Sequence, residues 1–157
     1  MRLFRLSLTT LAVTTLGFAA SADGHSAALE GAVKARNAQM GVIGYSLGLL
    51  GGMAKGEVPY DAASASAAAE NLNAAASMNR IVMWIDGTEQ GVVAGSRSKP
   101  EVFSDAAGFD KKFVALQTAT AAMVTAAGTD LPALQAAMGP VGAACGDCHK
   151  AYRGPKN

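Results

Sequence analysis

The chain has 157 residues, half of them hydrophobic but only 6% aromatic, with a formal net charge of +1. One domain is the expectation at this length, and the near-neutral balance excludes the cationic surface of a nucleic-acid binder. Ala and Gly supply much of the apolar count, so the core either brings backbones close together or leaves room for something large.

The N-terminus reads as an export signal. Met1-Arg2-Leu3-Phe4-Arg5 is a short basic start, Leu6 to Ala20 is apolar and uncharged, and Ala20-Ser21-Ala22 matches an A-x-A cleavage site. The apolar run is short for a membrane anchor. Residues 1–22 are therefore expected to be cleaved, leaving residues 23–157 as one domain. Losing Arg2 and Arg5 takes the net charge from +1 to −1. Such a signal without eukaryotic features points to the bacterial periplasm.

Four helical segments follow. Segment A runs from about Ala27 to Lys55, with Leu29, Val33, Met40, Ile43, Leu47 and Leu50 at helical spacing, and stops at Gly56 and Pro59. Its uncharged stretch from Asn37 to Ala54 holds five Gly and several polar residues, a poor match to hydrocarbon. Gly41, Gly44, Gly48 and Gly51 make a stripe that a second helix or a flat ligand can approach closely. Segment B is expected from Asp61, a plausible N-cap, to about Ile85, using Leu72, Ala75, Met78 and Val82. Residues 86–100 are a Gly- and Ser-rich loop, with a short helical turn expected at Pro100-Glu101-Val102-Phe103. Segment C, from about Ser104 to Ala127, carries Phe109, Phe113, Leu116 and Met123. Segment D is capped by Thr129 or Asp130, runs to about Tyr152, and is expected to be interrupted at Gly139-Pro140. Four amphipathic helices with mostly short links predict an all-α, antiparallel four-helix bundle.

Chemistry concentrates in Cys145-Gly146-Asp147-Cys148-His149. Two thiols that add to the vinyl groups of a haem, followed by a His that ligates its iron, have this C-x-x-C-H spacing. On a helix, positions i, i+3 and i+4 share one face, so all three residues address one porphyrin edge. Zinc needs four ligands, and the only other His is His25 near the terminus. A thioredoxin-like pair expects a βαβ setting, and a structural disulfide leaves His149 without a role. One covalent haem c, attached to the C-terminal helix through Cys145 and Cys148, is the expectation. No paired acid and base or free nucleophile suggests an enzyme.

The motif lies at the end of the chain, within Cys145-x-x-Cys148-His149-x-x-Tyr152-Arg153. That pattern, closing four helices, resembles the cytochrome c-prime family, with its low-spin cytochrome c-556 relatives, over essentially the whole of residues 23–157. Arg36-Asn37-Ala38-Gln39-Met40 is similar to the family's first-helix R-Q-x-x-[M/L/F/Y] pattern. Lys99-Pro100-Glu101-Val102-Phe103 is similar to its short helix before helix three, where Trp often stands at the Phe103 position. The resemblance implies thioether anchors at Cys145 and Cys148 and a proximal ligand at His149. It sets Arg36 by the haem propionates and Arg153 on the proximal side. Asn37 replaces the usual Gln beside the haem, and Met40 faces the sixth coordination site. A ligating Met40 implies electron transfer with periplasmic redox partner proteins. A Met40 that only packs leaves the iron open to NO or CO.

Other side chains have plainer expectations. Trp84 is core or pocket wall, Tyr45 and Phe113 are core, His25 is exposed tail, and Lys111-Lys112 is a solvated face or a dock for an acidic partner. The family also implies a homodimer through segments A and B.

Overall fold

The computed structural model describes residues 20–156. Its helices are α1 (Ala20–Lys55), α2 (Ala62–Ala76), α3 (Glu101–Ser104), α4 (Ala106–Ala127) and α5 (Leu131–Tyr152). The four long ones are segments A to D, and α3 is the turn expected after Pro100. Most of the expected leader, residues 1–19, lies outside the described residues.

Local chemistry starts these helices. Asp61, Asp105 and Asp130 each accept a hydrogen bond from a backbone N–H three residues on, at Ser64 (2.8 Å), Gly108 (3.1 Å) and Ala133 (2.8 Å). Each thereby satisfies a donor the first turn leaves open. Asp130, rather than Thr129, is the cap of α5. At its other end α1 stops at Gly56, whose φ of +74° suits only a residue without Cβ.

Hydrogen bonds between helices fix their directions. Gln39 on α1 donates to the Ala75 carbonyl late in α2 at 2.8 Å, and Gln135 early in α5 donates to Ala54 late in α1 at 2.7 Å. Thr120 and Gln117 on α4 donate to Asn73 and to the Ala76 carbonyl on α2, at 3.0 and 3.2 Å. Lys112 near the start of α4 meets Asp147 near the end of α5 at 3.3 Å. Each neighbour runs antiparallel to the last, and α1, α2, α4 and α5 close a four-helix bundle.

Three sequence expectations are corrected. Helix α2 ends at Ala76, not near Ile85. Gln39 and Gln117 take up the carbonyls of Ala75 and Ala76, the Ser77 N–H returns to the last turn, and Asn79 accepts from the Ile81 N–H at 3.0 Å in a competing turn. Met78 and Val82, assigned to its apolar stripe, are exposed. Helix α5 runs through Pro140 without interruption. The carbonyl that loses its partner belongs to Ala136, an exposed residue that water can reach. Finally, α1 begins at Ala20, earlier than Ala27, because no proline stands between them and Gly24 alone does not end a helix.

The interior has two parts. One is aliphatic and rich in small residues: Ala65, Ala69, Ala76 and Ala127 are fully buried beside Leu50, Leu72, Met123 and Leu134. The other is aromatic. Phe109 lies 4.9 Å from Trp84, 5.0 Å from Phe113 and 5.2 Å from Tyr152, ring centre to ring centre, all edge-on. Met40 packs against both parts, Cys145 against the first and Cys148 against the second. No helix among the described residues is long and apolar enough to cross a membrane.

Candidate functional site

A cavity of about 500 Å³ opens where the two parts of the core fail to meet. Residues of α1 (Arg36, Asn37, Met40, Ile43, Gly44, Leu47), α4 (Phe109, Lys112, Phe113, Leu116) and α5 with its C-cap (Ala144, Cys145, Cys148, His149, Tyr152, then Arg153) line it. Trp84, Arg97 and Ser98 complete the wall. All seven residues singled out for the haem are therefore brought to one space.

Cys145, Cys148 and His149 sit on one face of α5, half-buried, and the two thiols are not joined. Burial pushes both thiols up from their ordinary value, and the Cys145 sulfur adds to the shift at Cys148. Burial, then the charges of Arg153 and Arg97, push His149 down. A neutral imidazole is the form that ligates a metal. Among the described residues no group of three or more His, Cys, Asp or Glu gathers as a zinc site.

Arg36 is 2% exposed, and both terminal nitrogens of its guanidinium are bonded to the loop after α2. It donates to Thr88 Oγ1 at 2.6 Å, to the Thr88 carbonyl at 2.5 Å, to Ser96 Oγ at 2.6 Å and to the Met83 carbonyl at 3.3 Å. It also lies 5.0 Å from the centre of the Trp84 ring. Burial lowers its pKa, and Glu89 partly offsets this. Asn37 donates to the Gly95 carbonyl at 3.1 Å, so it holds the same loop. Arg153 is exposed at the rim, and Met40 is half-buried on the α1 wall.

Some functional neighbours were not apparent from the sequence. Arg97, in a loop read by composition alone, donates to the carbonyls of Gly154 (2.8 Å) and Pro155 (3.2 Å) and so stands beside His149. Tyr152 donates to Asp105 at 2.7 Å, tying the end of α5 to the start of α4. Lys112 turns into the wall towards Asp147, whereas Lys111 stays exposed. Trp84 is at the wall as expected, Phe113 is buried core that also reaches the wall, and His25 is exposed on α1. Tyr45 is not core: it is 71% exposed, because it falls on the α1 face turned away from the bundle.

The residues fit a large, flat, acidic group. Arg36, Arg97, Lys112 and Arg153 line the cavity and no carboxylate does. Trp84 Nε1 is buried there without an acceptor, and a buried donor calls for one. Apolar walls suit a porphyrin face, the cations suit its propionates, and the α5 triad suits covalent attachment. Fold and site together define a c-type haem protein built on a four-helix bundle.

Comparison with known proteins agrees. The Cytochrome C' family model matches residues 31–153. Cytochrome c-554 of Cereibacter sphaeroides is 42% identical over 125 residues, 80% of this chain and 82% of that protein. The structure titled "Cytochrome c' from Rhodobacter Spheriodes" is 37% identical with a TM-score of 0.78, covering 82% of this chain and 98% of that one. The nitric oxide complex of a cytochrome c prime variant from Alcaligenes xylosoxidans is also 37% identical, with a TM-score of 0.73 over 83% of this chain and 98% of that one. The chain belongs to the cytochrome c′ family, whose members bind haem c, and Cys145 and Cys148 fit the attachment.

Proposed function

We propose that the protein is a periplasmic one-electron carrier in which Met40 and His149 ligate the haem iron from the two sides. A bound haem supplies one-electron exchange at its iron. Around it, Cys145 and Cys148 anchor, His149 presents a neutral imidazole, the charges of Arg36 and Arg153 favour the acidic edge, and Asn37 fixes the loop beside it. The observation that carries the reading is that the Met40 thioether lies on the α1 wall of the same cavity as His149. Tyr152 is bonded to Asp105 and Lys112 is paired with Asp147, so neither side chain is at liberty to ligate. A thioether ligand favours the reduced state and raises the potential.

The signal at residues 1–22, its cleavage, periplasmic residence, redox protein partners and a homodimer through α1 and α2 belong to the same reading. A second reading, a five-coordinate haem that binds NO or CO, is supported by the solved relative in complex with nitric oxide. The reduced-state visible spectrum separates them. Met40 ligation gives a sharp low-spin α band, and Met40→Ala converts it to a broad high-spin spectrum that sharpens on adding CO. A wild-type protein that is already high-spin, or a variant that leaves the band unchanged, refutes the ligand assignment and favours gas binding.

A further inference from the structure

The end of the chain pairs side by side with the loop before α3. The Lys99 N–H donates to the Tyr152 carbonyl at 3.0 Å, the Gly154 N–H donates to the Arg97 carbonyl at 2.7 Å, and an isolated antiparallel bridge joins Ser98 to Arg153. The Arg97 guanidinium donates to Gly154 and Pro155, and Lys99 Nζ to the Lys150 carbonyl at 3.1 Å. This strap gathers five cations: Arg97, Lys99, Lys150, Arg153 and Lys156. None of the five is ion-paired among the described residues, and the bordering Glu89 and Glu101 pair with none of them. Arg97 and Arg153 also line the cavity with His149, so the strap frames its mouth.

Charge is arranged differently at the other end of the bundle. The links after α1 and α4 carry Glu57, Asp61 and Asp130 against Lys55, which is itself paired with Glu57 at 3.6 Å. The mouth end also carries Asp86, Asp105, Asp110 and Asp147, yet cations still outnumber carboxylates there and carboxylates outnumber cations at the other end, so the chain is modestly polarised with its positive pole where the haem ligand His149 stands. Such a field orients an acidic partner before contact and raises its association rate.

We infer that the strap of residues 97–99 and 150–156 is the docking face for an acidic redox protein. The inference rests on the electron-transfer reading and names the surface and the partner's chemistry. An anionic membrane is the less suitable occupant, because Ala151, Gly154 and Pro155 between the cations offer no large apolar side chain to insert.

The test uses the holoprotein and a short labelled poly-glutamate peptide, with poly-lysine as its counterpart. Lys150→Glu with Lys156→Glu changes two exposed strap cations whose side chains make no hydrogen bond in the described structure, and Lys55→Glu at the far end is the control. Poly-glutamate binding is expected to weaken about tenfold or more in the double variant, to stay within about twofold of wild type in the control, and to fade between about 20 and about 500 mM salt. Equal binding by the double variant, equal binding of poly-lysine, or tight sedimentation with phosphatidylglycerol vesicles overturns the proposal. Hexacyanoferrate(III) then reads electron exchange separately, accepting one electron from the reduced protein to give hexacyanoferrate(II). Localised peptide binding without exchange supports the docking face and faults the electron-transfer reading. Rapid exchange without localised binding overturns the docking face alone.

Discussion

Arg36 holds a full charge in the interior, and its bonds to Thr88, Ser96 and Met83 pin a loop that has no helix of its own. Replacing it by Leu leaves the Thr88 hydroxyl oxygen and the Met83 carbonyl in want of a donor, while the Thr88 carbonyl keeps the Ser96 hydroxyl and Ser96 keeps the Ser98 N–H, and a loss of about 3 kcal/mol in urea unfolding is expected. Arg36→Lys recovers little, since one ammonium cannot reach both sides of the fork. A second residue-scale feature joins α5 to α4. The Tyr152 hydroxyl and then the Gly108 N–H hold the Asp105 carboxyl below its usual range, while the Asp105 bond pushes Tyr152 up to about 12. A depressed Asp105 adds stability above its ordinary pKa of about 4, lost as pH falls through the folded value. A raised Tyr152 adds stability that is whole below its ordinary value of about 10 and lost as pH climbs towards about 12. Tyr152→Phe should therefore lower Tm most in the middle of the pH range, with wild type and variant converging at both extremes. A gap in Tm that is constant with pH counts against the pair. Gly108→Ala should act in the same direction, because its Cβ would sit 2.5 Å from Tyr152 Oη and collide with the Asp105 carboxylate.

Between elements, small residues set how closely helices approach. Ala65, Ala69 and Ala76 of α2 are fully buried, so this helix lies against its neighbours almost at backbone distance. Ala69→Leu adds volume where there is none and should cost about 1–3 kcal/mol in denaturant unfolding. The same change at exposed Ala74 should be nearly neutral. Composition announced this small-residue core, and the 3.6-residue period located all four helices. The period misjudged the end of α2, because Met78 and Val82 continue the pattern while Gln39 and Gln117, from other helices, take the carbonyls where it ends. Tyr45 was expected inside as an aromatic residue, and only the rotation of α1 in the bundle turns it out. The turn at Pro100 was legible because Pro at a helix start is a local signal.

For the whole molecule, α1 carries an exposed apolar face, whereas α4 exposes Val114 alone among its large apolar side chains. Val42, Tyr45 and Leu49 recur at helical spacing and are 48%, 71% and 40% exposed. Beyond the helix's own backbone and chain neighbours, nothing lies within 4 Å of where a Cβ on Gly41 or Gly48 would be. A second copy laid along this face gives the proposed homodimer. Tyr45→Lys should then convert a species of twice the chain mass to monomer in light scattering after gel filtration, with the visible spectrum unchanged. A monomeric wild type removes the proposal.

The sequence by itself determined the helices, the bundle and the covalent haem anchors, because helix period, caps and C-x-x-C-H spacing are encoded within a few neighbouring residues. Arg36, Asn37, Met40 and Arg153 were reached through family patterns rather than spacing, and all four line the cavity. Only the tertiary structure decided what surrounds them. The cavity exists where an alanine-rich core meets an aromatic one, and Arg97 reaches His149 only because the loop before α3 pairs with the last residues of the chain. Tyr152 and Lys112 are held by Asp105 and Asp147 across helices distant in sequence. Such pairings depend on chain segments folding back on each other, and no local pattern records them.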